Sequence, residues 1–304
     1  MNAVPGSVAT SVATSVAVLG NAPIGIFDSG VGGLSVLRHI RAQLPHEHLL
    51  YVADAGYAPY GDKPEELVAQ RSLSIAAFLV ERGAKALVVA CNTATVGAIK
   101  ALRAAYPDMP IVGVEPGLKP AAAASASGKV GVLATYVTLH GAKFLALREQ
   151  VSAATGVDFL LQPCVGLVDQ IELGDLGSSE IEALLRRYIT PLLEQGADTI
   201  VLGCTHYPLV RATIEQVIAD AGDKPVALVD TGDAVARQLA RLLAQAGLLH
   251  AADGTPGLDA FTSASATALA TAFSNLVGLT PPVAEVTFAV PVATGPAPAF
   301  STGQ

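Results

Sequence analysis

The chain has 304 residues, of which 51% are hydrophobic and 14% charged, and it contains no Trp. That length buries a sizeable core in one large domain or two moderate ones, and the composition excludes a disordered chain. The net charge of −8 argues against nucleic acid or an anionic membrane as the main partner, while a small anion can still be held by local backbone N–H groups.

Residues 1–21 are rich in small side chains and read as a flexible N-terminal extension. The first basic residue is Arg38, so the stretch lacks the charged start of a secretory signal. No segment offers roughly 18 strongly apolar residues in a row, so no membrane span is expected. Short apolar runs then predict strands at Ile24 to Phe27, Leu49 to Val52, Ala86 to Ala90 and Ile111 to Val114. Further runs lie at Val130 to Leu133, Val157 to Leu161, Thr199 to Leu202 and Val226 to Val229. Runs of this kind, bounded by Gly, Pro or Asp, fit parallel strands covered on both faces. Between them Val68, Ser72, Ile75 and Leu79 recur at helical spacing, as do Ile181, Leu184, Tyr188 and Leu192. The alternation predicts an α/β protein. From Val290 onward the chain carries no charge, and residues 283–304 read as a C-terminal tail.

The chain also repeats itself. Glu81-Arg-Gly-Ala-Lys-Ala-Leu-Val-Val-Ala-Cys91-Asn-Thr aligns without a gap on Glu194-Gln-Gly-Ala-Asp-Thr-Ile-Val-Leu-Gly-Cys204-Thr-His, at an offset of 113. Gly25-Ile-Phe-Asp28-Ser29 resembles Gly131-Val-Leu-Ala134-Thr135, at an offset of 106. Two similar lobes related by a pseudo-two-fold would bring two cysteines face to face across a cleft.

In an open α/β sheet, ligands sit beyond the carboxyl ends of the strands. Four segments lie there. Asp28-Ser-Gly-Val-Gly-Gly33 permits close backbone approach and offers N–H groups to an anion, or it is simply a tight strand-to-helix connection capped by Asp28 or Ser29. Its Gly-x-Gly-Gly spacing is not that of a dinucleotide site. Cys91-Asn92-Thr93 and Cys204-Thr205-His206 each put a thiol at a strand end, where a helix dipole favours thiolate and predicts a lowered pKa. Ala58-Pro59-Tyr60-Gly61 reads as an ordinary turn or a site loop, the turn being favoured. His206 either fills the core or tunes proton transfer at Cys204. Cys164 lacks the repeat context and reads as structural. Three widely spaced cysteines make a poor disulfide framework, show no zinc rhythm and suit a reducing cytoplasm. Two equivalent thiols are redundant for covalent catalysis and lack the CxxC of disulfide exchange. Stereoinversion at carbon needs two groups on opposite faces, and there symmetry is a chemical requirement.

Asp28-Ser-Gly-Val-Gly-Gly-Leu-Ser-Val36, Pro59-Tyr-Gly61, Ala90-Cys-Asn-Thr-Ala94, Gly113-Val-Glu-Pro-Gly117 and Leu202-Gly-Cys-Thr-His-Tyr-Pro208 resemble, in order and spacing, the glutamate racemases of the aspartate/glutamate racemase superfamily. The resemblance covers roughly residues 22 to 282. It implies two pseudo-symmetric α/β lobes, each a mainly parallel sheet flanked by helices, with the active site in the cleft between them. Residues 22–117 and 229–282 would form the first lobe and residues 118–228 the second. It further implies Cys91 and Cys204 as the acid/base pair, with Asp28 as auxiliary group on the Cys91 side and Glu172 and His206 on the Cys204 side. Asp28, Ser29, Tyr60, Gly61, Asn92, Thr93, Thr205 and His206 would hold the carboxylates and ammonium of glutamate. Between Cys164 and Glu172 the two prolines usual in the family are missing. No cofactor is implied, and the oligomeric state stays open, a homodimer included. The implied role is supply of D-glutamate for peptidoglycan. An aspartate racemase, a carboxylate-binding protein and a thiol redox protein are the alternatives.

Overall fold

The computed structural model describes residues 21–250 and 256–288. Almost all of the N-terminal extension and most of the expected tail lie outside the described residues.

Two sheets organise the chain, and both are wholly parallel. The first has the order β10-β9-β2-β1-β3-β4, built from β1 (Ile24–Asp28), β2 (Leu49–Ala53), β3 (Ala86–Val89), β4 (Ile111–Gly113), β9 (Leu258–Thr262) and β10 (Val283–Glu285). The second has the order β6-β5-β7-β8, built from β5 (Lys129–Ala134), β6 (Asp158–Pro163), β7 (Thr199–Leu202) and β8 (Ala227–Val229). Every residue of β1, β2, β3 and β7 is buried, as expected for strands covered on both faces. Each sheet separates two apolar layers, so each lobe carries its own core.

The repeat read from sequence is spatial. The second sheet copies four of the first sheet's six strands, β2-β1-β3-β4, in strand order. A Cβ built on Gly25 would lie 3.0 Å from the side chains of Leu79 and Leu87, and one on Gly131 would lie 2.8 Å from Leu192 and 3.5 Å from Ile200. Leu79 and Leu192 are 113 positions apart, as are Leu87 and Ile200, so the same close contact of strand, helix and neighbouring strand occurs twice. The helices that make these contacts are α2 (Glu65–Glu81) and α8 (Ser179–Glu194). In α2 the periodic residues Val68, Ser72, Ile75 and Leu79 are all buried. In α8 Ile181, Tyr188 and Leu192 are buried and Leu184 is half-buried.

The chain passes from the first sheet to the second between β4 and β5 and returns between β8 and β9. The two crossings touch, since a Cβ on Gly117 would lie 2.9 Å from the Val229 side chain. One boundary differs from the sequence expectation. Residues 283–288, assigned there to the tail, belong to the first lobe. β10 pairs with β9, and Phe288 is buried with its ring edge-on to Phe78 at 5.2 Å. A three-residue strand with one apolar partner is too short to stand out as a run. Phe288→Ala should cost about 3 kcal/mol of folding free energy, as for other buried phenylalanines. A denaturation midpoint equal to that of the unsubstituted chain would show that Phe288 is not part of the core. Among the described residues no helix is long and apolar enough to cross a membrane.

Candidate active site

Each lobe ends a central strand in a cysteine. β3 stops at Val89, and Cys91 is the N-cap of α3 (Asn92–Ala105), its sulfur accepting the Ala94 N–H at 3.4 Å. Cys204 follows β7 at the equivalent place in the other sheet, and both thiols are buried, 5% and 7% exposed.

Behind each sulfur stands a short chain of groups ending in a carboxyl. The Cys91 thiol points to the Ser29 hydroxyl at 3.7 Å, and Ser29 donates to Asp28 Oδ1 at 3.0 Å. On the other side the Cys204 sulfur lies 3.6 Å from His206 Nδ1, and His206 Nε2 lies 2.6 Å from Glu172 Oε1. Glu172 ends α7 (Leu167–Glu172), whose N-cap Gly166 is in the left-handed conformation.

The lobes are laced together at the cleft. Thr205 donates its hydroxyl to Asp28 Oδ2 at 2.9 Å, and the Val31 N–H donates to Glu172 Oε1 at 2.9 Å. Ser35, on α1 (Leu34–Gln43), donates to the Thr205 carbonyl at 2.8 Å, and Thr93 and Thr135 hydroxyls meet at 3.2 Å. Asn92 Nδ2 is buried with no hydrogen-bond partner among the described residues, a costly state for a donor unless a ligand relieves it.

Three expectations need correction. Two of the N–H groups after Asp28 are taken up within the protein: Gly30 N–H donates to Asp28 itself at 3.2 Å and Val31 N–H to Glu172. Neither Asp28 nor Ser29 caps α1, whose N-cap is Gly33. The glycines instead make room, since a Cβ on Gly30 would lie 1.9 Å from Glu172 Oε1 and one on Gly32 2.3 Å from His206 Nδ1. The Tyr60 hydroxyl donates to Asp54 Oδ2 at 2.5 Å. Finally, the Cys91 thiol is not lowered: burial foremost, then the nearby Asp28 charge, push it up to about 12, outweighing the Ala94 N–H.

Known proteins share this fold. Residues 24–239 match the model of the Asp/Glu/Hydantoin racemase family. The chain belongs to that family. It is 56% identical over 241 residues to a glutamate racemase of Pseudomonas entomophila, covering 79% of this chain and 88% of the relative. The structure superposes on a glutamate racemase isoform of Bacillus anthracis with a TM-score of 0.77 at 29% identity, covering 88% of this chain and 97% of the other. It also superposes on the Escherichia coli glutamate racemase in complex with L-glutamate, with a TM-score of 0.73 at 33% identity, covering 87% and 97%.

For this racemase the electrostatics of the two sides differ. Burial works against charge on His206, but its bonds to Cys204 and Glu172 raise its pKa well above the ordinary 6.5. Burial likewise works against Glu172, yet His206 and the Val31 N–H hold its carboxyl below the ordinary 4.5. His206 therefore presents a cation 3.6 Å from the Cys204 sulfur. Cys91 instead faces Asp28, whose pKa burial raises against the opposing pull of His206 and Thr205.

The signs give a stability window. A raised histidine contributes fully below its ordinary pKa and loses that contribution as pH rises through the higher folded value; a lowered carboxylate contributes above its ordinary pKa and loses it as pH falls. The melting-temperature gap between the native chain and a Glu172→Gln/His206→Gln double variant should be widest between pH 4.5 and 6.5 and narrow on both sides. A gap independent of pH would contradict the pairing.

Residues that the sequence reading does not single out complete the racemase cleft. Tyr51 donates its hydroxyl to the Gly30 carbonyl at 2.9 Å, fixing the glycine loop from behind. Thr135 was legible in principle, because the 106-residue offset lays it on Ser29.

Proposed function

We propose that this racemase interconverts L- and D-glutamate without a cofactor, passing the α-proton between Cys91 and Cys204. One observation carries the reading: two buried thiols at equivalent positions of a spatial repeat, each backed by its own chain ending in a carboxyl. One sulfur, as thiolate, removes the α-proton, and the other thiol delivers its proton to the opposite face of the planar carbanion. The first sulfur then carries the proton and the second the charge, so the enzyme is left poised for the reverse enantiomer.

Removing an α-proton from an amino acid is hard, and the site must stabilise the developing charge with fixed donors in a dry cavity. Asn92 Nδ2, buried and unpaired, suits the α-carboxylate, with Thr93 beside it. Burial and the Asp28 charge push the Cys91 thiol up, so they favour its protonated form before substrate arrives. The substrate ammonium then supplies the positive charge that the Cys91 side lacks, whereas the Cys204 side has His206.

The relatives named glutamate racemase, and the L-glutamate complex among the similar structures, support glutamate as substrate. Its D-enantiomer would be made in the cytoplasm for peptidoglycan synthesis. Circular dichroism of the purified chain with D-glutamate, then D-aspartate, and no added cofactor tests this. Decay of the signal with D-glutamate alone is expected; decay with D-aspartate alone, or with neither, would refute the assignment.

A further inference from the structure

A buried ion pair beside the cleft plays no part in the reaction as derived above. Asp54 follows β2 and donates its backbone N–H to the Asp28 carbonyl at 2.9 Å. Its carboxylate accepts four side-chain hydrogen bonds. Arg71, on α2, contributes Nε at 2.9 Å and a terminal nitrogen at 2.6 Å, Tyr60 its hydroxyl at 2.5 Å, and Ser263 its hydroxyl at 2.6 Å. Asp54 is fully buried and Arg71 is 1% exposed. The other terminal nitrogen of Arg71 donates to the Phe288 carbonyl at 3.1 Å, and its guanidinium lies 3.6 Å from the Tyr57 ring centre.

Burying two charges is costly, and apolar side chains of similar volume often stabilise a fold as well or better. What the pair supplies and apolar packing does not is direction. The planar fork of Arg71 fixes the plane of the carboxylate, and that plane fixes where the Tyr60 hydroxyl must sit. Tyr57 and Tyr60 belong to one loop, residues 54–64, joining β2 to α2. Tyr60 packs in the same apolar layer as Cys91. Gly61 next to it meets the second lobe so closely that an added Cβ would lie 3.2 Å from the Thr135 side chain.

We infer that Asp54 and Arg71 are positioning residues, which hold the Tyr60–Gly61 loop against Cys91 and the opposite lobe so that the substrate end of the cleft is closed. The inference rests on the reading of this cleft as the amino-acid site. The pair acts on substrate binding and on the shielding of Cys91, and takes no proton from the substrate.

The test uses Arg71→Met, Arg71→Lys and Tyr60→Phe in the full-length chain, the last deleting only one hydroxyl so that the ion pair and the fold are kept. Iodoacetamide labelling of each cysteine, followed by peptide mass spectrometry without substrate, should show Cys91 reacting several-fold faster in Tyr60→Phe and faster still in Arg71→Met. Cys164 and Cys204 should keep their native rates. In Arg71→Met the KM for glutamate should rise about tenfold, the worth of one hydrogen bond to a charged group, with a much smaller change in kcat. Arg71→Lys, which keeps the charge but loses the fork, should fall between. Equal acceleration of all three cysteines would assign the pair a merely structural role and overturn the inference. So would unchanged Cys91 labelling in a folded Tyr60→Phe. Because labelling needs no substrate, a native chain inactive on glutamate would count against the proposed function alone.

Discussion

Cys91→Ser and Cys204→Ser should each lower glutamate racemisation by about 10³-fold or more in both directions, the range expected on losing a positioned acid/base group. A serine hydroxyl is far less acidic than a thiol, so it can neither act as base nor replace the proton donor on schedule. In the proposed mechanism each enantiomer uses one sulfur as base and the other as acid, so one substitution disables both directions. Cys164→Ser is the control. Cys164 is buried in the core of the second lobe, with its backbone N–H tied to the Ala134 carbonyl, and its loss should show in the melting temperature far more than in turnover. Rate assays by circular dichroism with each enantiomer separate these outcomes. Near-native turnover in either serine variant would refute a mechanism that needs both thiols.

A second large effect should come from a single methyl group. Gly30→Ala puts a Cβ 1.9 Å from Glu172 Oε1, and Gly32→Ala puts one 2.3 Å from His206 Nδ1. Neither glycine has a positive φ, so the backbone accepts alanine and only the space is lacking. The side chains that must give way are the pair behind Cys204. Glu172 would lose the Val31 N–H, and His206 would lose its place beside the sulfur. Turnover should fall about 10²-fold in either variant, because displacements near 1 Å at a reacting group cost that much. The Cys91-side chain through Ser29 and Asp28 would be left in place. Steady-state kinetics check the loss, and an alanine variant with native kcat would show that the glycine loop does not set the position of Glu172 and His206.

Much of the fold is legible because the strands are buried on both faces. All eight apolar runs became β1 to β8, and the 113-residue repeat became two sheets of matching order. The strands that the sequence hides are β9 and β10. In β9, Leu258-Asp-Ala-Phe-Thr262 interleaves an acid with its apolar residues, and His48 takes that acid at 2.8 Å, a partner 211 positions away.

The site divides along the same line. Cys91, Cys204 and His206 declare themselves by position in the repeat. The role of the glycine loop does not, because the atoms that require Gly30 and Gly32 belong to α7 and to the segment after Cys204, more than 140 positions on. Ser35 is hidden for the same reason, since it meets the Thr205 carbonyl only once the two lobes come together, and Tyr51 meets the Gly30 carbonyl only once β2 lies beside β1. Arg71 left a faint trace. It sits between Val68 and Ile75 on the buried stripe of α2, where a charge demands a partner, but the sequence does not say that the partner is Asp54.

The central claim, transfer between two thiols on opposite faces, is tested most directly by isotope entry at the α-carbon. Each enantiomer of glutamate is incubated with the enzyme in D₂O and sampled by NMR early in the reaction. Two separate sulfurs predict that the product enantiomer carries deuterium at the α-position while unreacted substrate keeps its protium, in both directions. Product that retains the substrate's α-proton, or substrate that exchanges as fast as product forms, would mean that one group serves both faces and would contradict the account.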